Sequence, residues 1–365
     1  MIDNFNDINT CGLKKDKIYN LCIEGEKIRD FDFNLDGYTV GLSSGTTGQR
    51  GIFFISQKNS LKHAAFVMSK YISLLNKNKI AYFQRANSNL YEVGTSSRLQ
   101  LRFFDLIFPV QHHISELNAL MPNLLIAPSR VLKQLALLKK SGLLKINPEK
   151  VINIMEVLDP NDEKIIKEHF GINFVDQFYM ATEGIVGLTC EKGKIHLCEE
   201  LMEIKYKFED ESSRRISFKL TDLYRYEQPH INYEMTDILE LADKPCSCGN
   251  ASLVVDKIHG RKEDSLFFTN INGAEVEVYP DLLARVILFA NENIEDYQIV
   301  QKESNLLEVF ISPSTENIKN DVIKSLQSFM EDKKSVKYLK VDFMSEAITK
   351  KGKKFRRIYS RVDGE

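Results

Sequence analysis

Between residues 38 and 185, short runs of β-rich residues alternate with stretches of helical periodicity. "YTVGLS" and "GIFFIS" read as strands on either side of a glycine-rich turn, and "KNSLKHAAFVMSKYISLL" reads as a helix. "KIAYFQR" predicts a strand, "NLLIAPSRVLKQLALLKKSG" a strand and a helix ending at Gly142, and "KVINIMEV" another strand. "NDEKIIKEHFG" has the acidic start and glycine stop of a capped helix, and "NFVDQFYM" follows it as a strand. This alternation predicts a largely parallel sheet covered by helices.

Beyond Gly184 the texture changes. "ISFKLTDL", "INYEMTDILEL" and "ASLVVDKIHG" succeed one another as strands without long helices, which predicts a β-rich subdomain at about 185–258. After "HGRKED" a second unit is expected: a strand, a helix at 280–292, the strands "DYQIVQ" and "LLEVFIS", a helix at 316–332, then "YLKVDFM". The expected class is α/β, a large N-terminal domain over 1–259 and a small, mobile α+β domain over 260–365.

Composition adds exclusions. The net charge of −2 gives no global basic field for nucleic acid, although lysines cluster at 333–340 and 350–357. The N-terminal "MIDNFNDINT" has neither the basic start nor the apolar stretch of a signal peptide, and no apolar run approaches the ~20 residues that span a bilayer. Six cysteines in 365 residues make no disulfide framework, so a cytoplasmic protein with reduced thiols is expected.

Two clusters carry candidate chemistry. Ser43-Ser44-Gly45-Thr46-Thr47-Gly48 offers unobstructed N–H groups and four hydroxyls to phosphate, though the order of a Walker A loop is absent. The plainer alternative is a turn between two strands. Cys246 and Cys248 share the turn "KPCSCGN", and Cys190 and His196, with five residues between them, lie on an expected hairpin. Three thiolates and an imidazole make a tetrahedral structural zinc site, with Cys198 as a spare ligand for Cys190 or His196.

The hydroxyl loop is followed in order by "QFYMATEG" (177–184), "YEMTDI" (233–238), "HGRKED" (259–264) and "KKGKKFRR" (350–357). In this succession the chain resembles the adenylate-forming superfamily of acyl-CoA synthetases and adenylation domains. "KPCSCGNASLVVDKIHGRKED" is most similar to the phenylacetate–CoA ligase branch, and "NSNLYE", "IAPSRVL" and "TCEKGKIHLCEE" to a subgroup related to capsule-biosynthesis and deazaflavin-adenylylating synthetases. The chain departs at Gln49-Arg50, where Pro-Lys is common and Arg50 would take over phosphate contact, and at Glu263, which takes the place of the hinge acid.

The resemblance implies an enzyme that activates an aromatic or other small acid with ATP, then passes the acyl group to CoA or a carrier protein. The alternatives are an adenylyltransferase that leaves AMP on its substrate and a nucleotide-binding module without activity. It implies that residues 43–48 grip the β- and γ-phosphates, Thr182 the α-phosphate and Glu183 a Mg²⁺ ion. A carboxylate at a helix start near Gly184 is the alternative for Glu183. Tyr179 would flank adenine, Asp237 bind ribose and Arg261 contact ribose or phosphate. Lys353 would bridge carboxylate and α-phosphate, with Lys351 and Lys354 as competitors. Arg85, Asn87 and Tyr91 are candidates for the acid pocket, and the zinc ligands would be Cys190, His196, Cys246 and Cys248. No nucleic-acid or membrane partner is expected, and homodimerisation is left open.

Overall fold

The computed structural model describes residues 4–28, 30, 34–43, 50–72, 76–84, 98–210, 212–261, 264–334, 336–348 and 355–362. The chain divides into two units by its contacts. Unit 1 is Met1–Phe208, Phe218–Met235 and Leu241–Asp256; unit 2 is Glu209–Ser217, Thr236–Glu240 and Lys257–Glu365.

Unit 1 opens with helices α1 (Phe5–Ile8) and α2 (Lys15–Ile28) and an antiparallel sheet of β1 (Asn34–Leu35), β2 (Tyr38–Leu42) and β3 (Ile52–Ser56). Phe5, Ile18, Cys22, Val40 and Phe54 fill the core of this lobe. The Ser56 hydroxyl then caps α3 (Gln57–Tyr71) by accepting the Asn59 N–H.

The main sheet follows, with β4 (Asn78–Gln84), β5 (Leu99–Asp105), α4 (Ile114–Leu120), β6 (Leu124–Ala127), α5 (Ser129–Lys140), β7 (Lys150–Ile154), α6 (Pro160–Phe170), β8 (Asp176–Ala181), β9 (Gly184–Thr189) and β10 (Ile195–Leu197). Its strand order here is β5-β4-β6-β7-β8-β9-β10. The pairings from β5 to β8 are parallel, and those of β8 with β9 and β9 with β10 are antiparallel. Alternate residues point to opposite faces. Ala81, Phe83, Leu125 and Val151 join one core with Leu132, Leu135 and Ile166, while Ile80, Tyr82, Ile126 and Ile152 join another with Tyr71. Burial of both faces is what a parallel sheet requires, and it explains the apolar runs at 80–83 in β4 and 124–127 in β6.

Strands β11 (Met202–Asp210), β12 (Arg215–Asp222), β13 (Tyr233–Glu234), β14 (Asp237–Leu241) and β15 (Val254–Arg261) complete the β-rich stretch. Val254 and Val255 pair antiparallel with β10 in unit 1, whereas Arg215 and Ile216 pair with Glu240 and Leu239 in unit 2.

Unit 2 contains the hairpin β16 (Leu266–Thr269) and β17 (Glu275–Val278), α7 (Pro280–Ala290), β18 (Asp296–Glu303), β19 (Leu306–Ser312), α8 (Glu316–Lys334), β20 (Lys340–Phe343) and β21 (Ile358–Ser360). The strand order β20-β19-β18-β21 makes a mixed sheet, and Leu283, Ile287, Val322, Leu326 and Met330 from α7 and α8 share its core. The expected α/β class with a parallel-rich sheet and additional sheets is what the structure shows. Among the described residues, no helix is long and apolar enough to cross a membrane.

Candidate functional site

Ala181 pairs with Gly184, which makes Thr182 and Glu183 the two-residue turn of the β8–β9 hairpin. The register slips between Tyr179 and Met180, two residue pairs before the turn, and such an irregularity re-aims the side chains that follow it. Gly184 has φ +144°, a backbone conformation open to glycine, and a Cβ there would meet Asp222 Oδ2 at 3.7 Å. The helix start considered for Glu183 is not formed, because β9 begins at Gly184.

The neck of the hydroxyl loop reaches the same place. The Ser43 N–H donates to the Gly51 carbonyl at 2.7 Å, and the Gly51 N–H donates to Ser43 Oγ at 2.7 Å. A Cβ on Gly51 would lie 3.3 Å from Ser43 Oγ and 3.7 Å, an ordinary contact distance, from Thr182 Cγ2, which places the neck of the loop beside the turn. Ser44, Gly45, Thr46, Thr47 and Gly48 lie outside the described residues. Arg50, expected on phosphate, instead forks onto both Glu26 carboxylate oxygens at 2.6 and 2.8 Å and donates from Nε to the Ser43 carbonyl at 2.6 Å. Its planar fork clamps the neck of the loop.

A segment that sequence reasoning passed over, "DLYRYEQPH" (222–230), crosses this region. Asp222 Oδ1 accepts the N–H groups of Tyr224 and Arg225 and so turns the chain. Glu227 accepts from the Ser56 N–H at 2.7 Å and from Asn59 Nδ2, while its own carbonyl accepts the Thr10 N–H. Arg225, Glu227, Gln228 and His230 are all buried. Five charged, imidazole or amide side chains within nine residues, bounded by strands and with no helical period, were the available signal.

The remaining candidates fall in both units or outside the described residues. Tyr179 is buried in β8 of unit 1. Asp237 opens β14 and Arg261 ends β15, both in unit 2. Lys351, Lys353, Lys354, Glu263, Arg85, Asn87 and Tyr91 lie outside the described residues. The arginines that follow the lysine run are held in unit 2: Arg356 pairs with Asp264, and Arg357 with Asp296 at 2.5 Å.

The cysteines and the histidine do come together. Donor atoms of Cys190, His196, Cys246 and Cys248 all lie within 4.8 Å of one another. Cys190 and Cys246 sulfurs are 3.7 Å apart, and Cys248 Sγ is 3.3 Å from His196 Nε2. His196 Nδ1 is 3.2 Å from the Ser252 carbonyl, an arrangement that turns Nε2 toward the sulfurs. The N–H groups of Lys192 and Asn250 donate to the sulfurs of Cys190 and Cys248. The Cys248 N–H is the main cause that brings the Cys246 thiol down to about 7. Burial pushes Cys190 up to about 11, so a thiolate there calls for a cation. Cys198 is no spare ligand: it packs in the core against Ile185 and Leu188, where burial raises its thiol to about 12.

Neither a family model nor a curated protein matches the sequence. Solved structures do match. A 2-hydroxyisobutyryl-CoA ligase in the postadenylation state, in complex with R3-HIB-AMP, superposes with a TM-score of 0.63 at 16% identity, over 87% of this chain and 72% of that one. An anthranilate CoA ligase in complex with anthranoyl-AMP gives 0.58 at 12% identity, over 87% and 66%. McyG A-PCP complexed with phenylalanyl-adenylate gives 0.53 at 12% identity, over 86% and 64%. The chain has the fold of adenylate-forming ligases. The similarity covers most of the chain and includes both units.

Proposed function

We propose that this protein is an ATP-dependent ligase that activates a small carboxylic acid as its acyl-AMP. The observation that carries this reading is the contact of the hydroxyl-loop neck with Thr182, 3.7 Å between Thr182 Cγ2 and a Cβ placed on Gly51, within a fold shared with enzymes solved with acyl adenylates. A carboxylate oxygen attacks the α-phosphorus, the bond to the bridging oxygen breaks, and its electron pair leaves with pyrophosphate. Two anions must meet for this, so the protein has to supply positive charge and hydrogen-bond donors in fixed places.

Residues 43–48 hold the β- and γ-phosphates, and the Thr182 hydroxyl donates to the α-phosphate. Glu183 is the carboxylate for Mg²⁺, which when bound neutralises phosphate charge. Glu183 stands half-buried in the hairpin turn, next to Thr182. Asp237 accepts the ribose hydroxyls, Arg261 adds a cation, and Lys353 bridges the carboxylate and α-phosphate. Tyr179 flanks adenine on the resemblance alone. The domain division at 259, with a mobile 260–365, belongs to the same proposal.

The donor set of three sulfurs and one imidazole nitrogen fits Zn²⁺, and we assign Cys190, His196, Cys246 and Cys248 to a structural ion. This cluster supports the phenylacetate–CoA ligase-like branch. Transfer of the acyl group to CoA or a carrier thiol completes the proposed reaction. The test is pyrophosphate exchange over a panel of aromatic and small aliphatic acids. Wild type should exchange label with at least one acid, and Glu183→Ala and Lys353→Ala should each lower the rate by roughly 100-fold or more. Exchange that Glu183→Ala leaves unchanged would remove the metal assignment. Mass detection of a product that retains AMP, with no thiol required, would favour the adenylyltransferase.

A further inference from the structure

Thr182 and Glu183 must keep register with the hydroxyl loop, yet they belong to different sheets. β3 is hydrogen-bonded to β2, and β8 to β7 and β9. Side chains of the 222–230 segment make the link. Gln228 Nε2 donates to the Ile52 carbonyl at 2.9 Å, and the Phe54 N–H donates to Gln228 Oε1 at 3.0 Å. These two backbone groups lie two residues apart on one edge of β3, so a single amide stands in for a neighbouring strand.

The same Gln228 oxygen accepts from Arg225 Nη2, and Arg225 Nη1 donates to the Thr182 carbonyl at 3.0 Å. Four hydrogen bonds thus run from β3 through two buried side chains to the turn. Arg225 is 4% and Gln228 3% exposed, which removes water as a competing partner. Among the described residues, Arg225 Nε has no hydrogen-bond partner, so the described bonds of the guanidinium both lie on this path. Its charge is opposed by Asp222, Glu183 and Glu227. A buried guanidinium costs much desolvation, and a neutral donor would serve if only an anchor were needed. A rigid fork fixes the angle between two acceptors, which an ammonium cannot do.

We propose that Arg225 is a positioning residue. Through Gln228 on one side and the Thr182 carbonyl on the other, it locks the hydroxyl hairpin to the turn that presents Thr182 and Glu183. It thereby sets the geometry in which Mg·ATP is gripped, a function that rests on the ATP reading above.

The variants are Arg225→Lys, Gln228→Leu and their combination. Lys133→Met, which breaks the buried 3.0 Å ion pair with Asp162 in the same unit, controls for general destabilisation. The first measurement is hydrogen exchange on full-length protein without nucleotide or added Mg²⁺. Peptides over 52–56 and 180–184 should exchange about tenfold faster in Arg225→Lys and Gln228→Leu. The double variant should be no faster than the more affected single one. Lys133→Met should leave both peptides at the wild-type rate. The second measurement is Mg·ATP binding by calorimetry, expected to weaken by about tenfold or more in both single variants and not in the control.

Unchanged exchange at 180–184 in Arg225→Lys overturns the inference, as does equal acceleration in Lys133→Met. Faster exchange with unaltered Mg·ATP binding also overturns it, leaving a purely structural link. Wild-type protein that binds no Mg·ATP overturns the ATP reading instead, and the exchange data then report the link separately.

Discussion

The β8–β9 hairpin carries a different kind of polar construction at each end. Beyond the last residue of β9, Cys190 joins His196, Cys246 and Cys248; at the opposite end, Thr182 and Glu183 form the turn. Six residues of strand, about 20 Å, lie between them. At the cysteine end the ligand atoms come from two short segments and converge on one point. At the turn end, backbone and side-chain groups of residues 10, 43, 50–59 and 222–230 hold one another through many single hydrogen bonds. On the proposed zinc assignment, one end concentrates its stabilisation in a single ion. The other spreads it over contacts worth about 1 kcal/mol each, and so can be adjusted piece by piece.

The largest expected effect breaks the first end. Cys246→Ser, or a strong chelator, should remove about one equivalent of zinc, read by metal mass spectrometry, and lower Tm by roughly 10 °C or more. Hydrogen exchange should rise at 190–197 and 244–252 while 52–56 keeps its protection. Native protein with less than about half an equivalent of metal would end the zinc assignment. Loss of protection at both ends together would show that they are not independent.

A smaller effect is expected at the other end. Burial pushes the Glu227 carboxyl up, but the Ser56 N–H and hydroxyl and Asn59 more than offset this and leave it below the usual carboxylate value. A folded-state value below the unfolded one means stabilisation that is present above pH 4.5 and lost as pH falls. Glu227→Gln should therefore cost about 2 kcal/mol at pH 7 in urea unfolding, and the cost should shrink toward pH 4. A loss that does not vary with pH would mean that shape, and not charge, matters at this position.

The same contrast decides what the sequence disclosed. The cysteine–histidine cluster was legible because Cys-x-Cys and the Cys190–His196 spacing are local, and a hairpin brings such neighbours together. The main parallel strands were legible because both-face burial writes unbroken apolar runs at 80–83 and 124–127. The edge strand at 99–105, whose exposure alternates, was not assigned, nor were the helices at 15–28 and 114–120. Arg225 and Gln228 could not be singled out, since their partners Thr182, Ile52 and Phe54 are far away in sequence. A local pattern likewise does not announce that 209–217 and 236–240 belong with unit 2. Arg50 shows the reverse error: a basic residue next to a phosphate-type loop pairs with Glu26, because helix α2 presents a carboxylate within reach.

The smallest predicted effect lies on the hairpin itself and has the opposite sign. Asp176 starts β8, close in sequence neither to the turn nor to the metal ligands, and is buried at 5% exposure. Burial raises its carboxyl from 3.8 to about 6, with Lys150 pulling the other way. Because the folded value lies above the unfolded one, the protonated acid stabilises the fold below pH 3.8, and that contribution is lost as pH rises through about 6. At 1.36 kcal/mol per pH unit the ionised form, with Lys150 already included, costs up to about 3 kcal/mol, of which structural relaxation leaves about 1. Asp176→Asn should then raise stability by about 1 kcal/mol at pH 7.5, with no gain at pH 3.5, in urea unfolding at the two pH values. Such a gain, with Mg·ATP binding and zinc content both unchanged, would show that the hairpin's middle can be stiffened without disturbing either end. A gain at pH 7.5 accompanied by weaker Mg·ATP binding would instead make the buried charge part of how the turn is held.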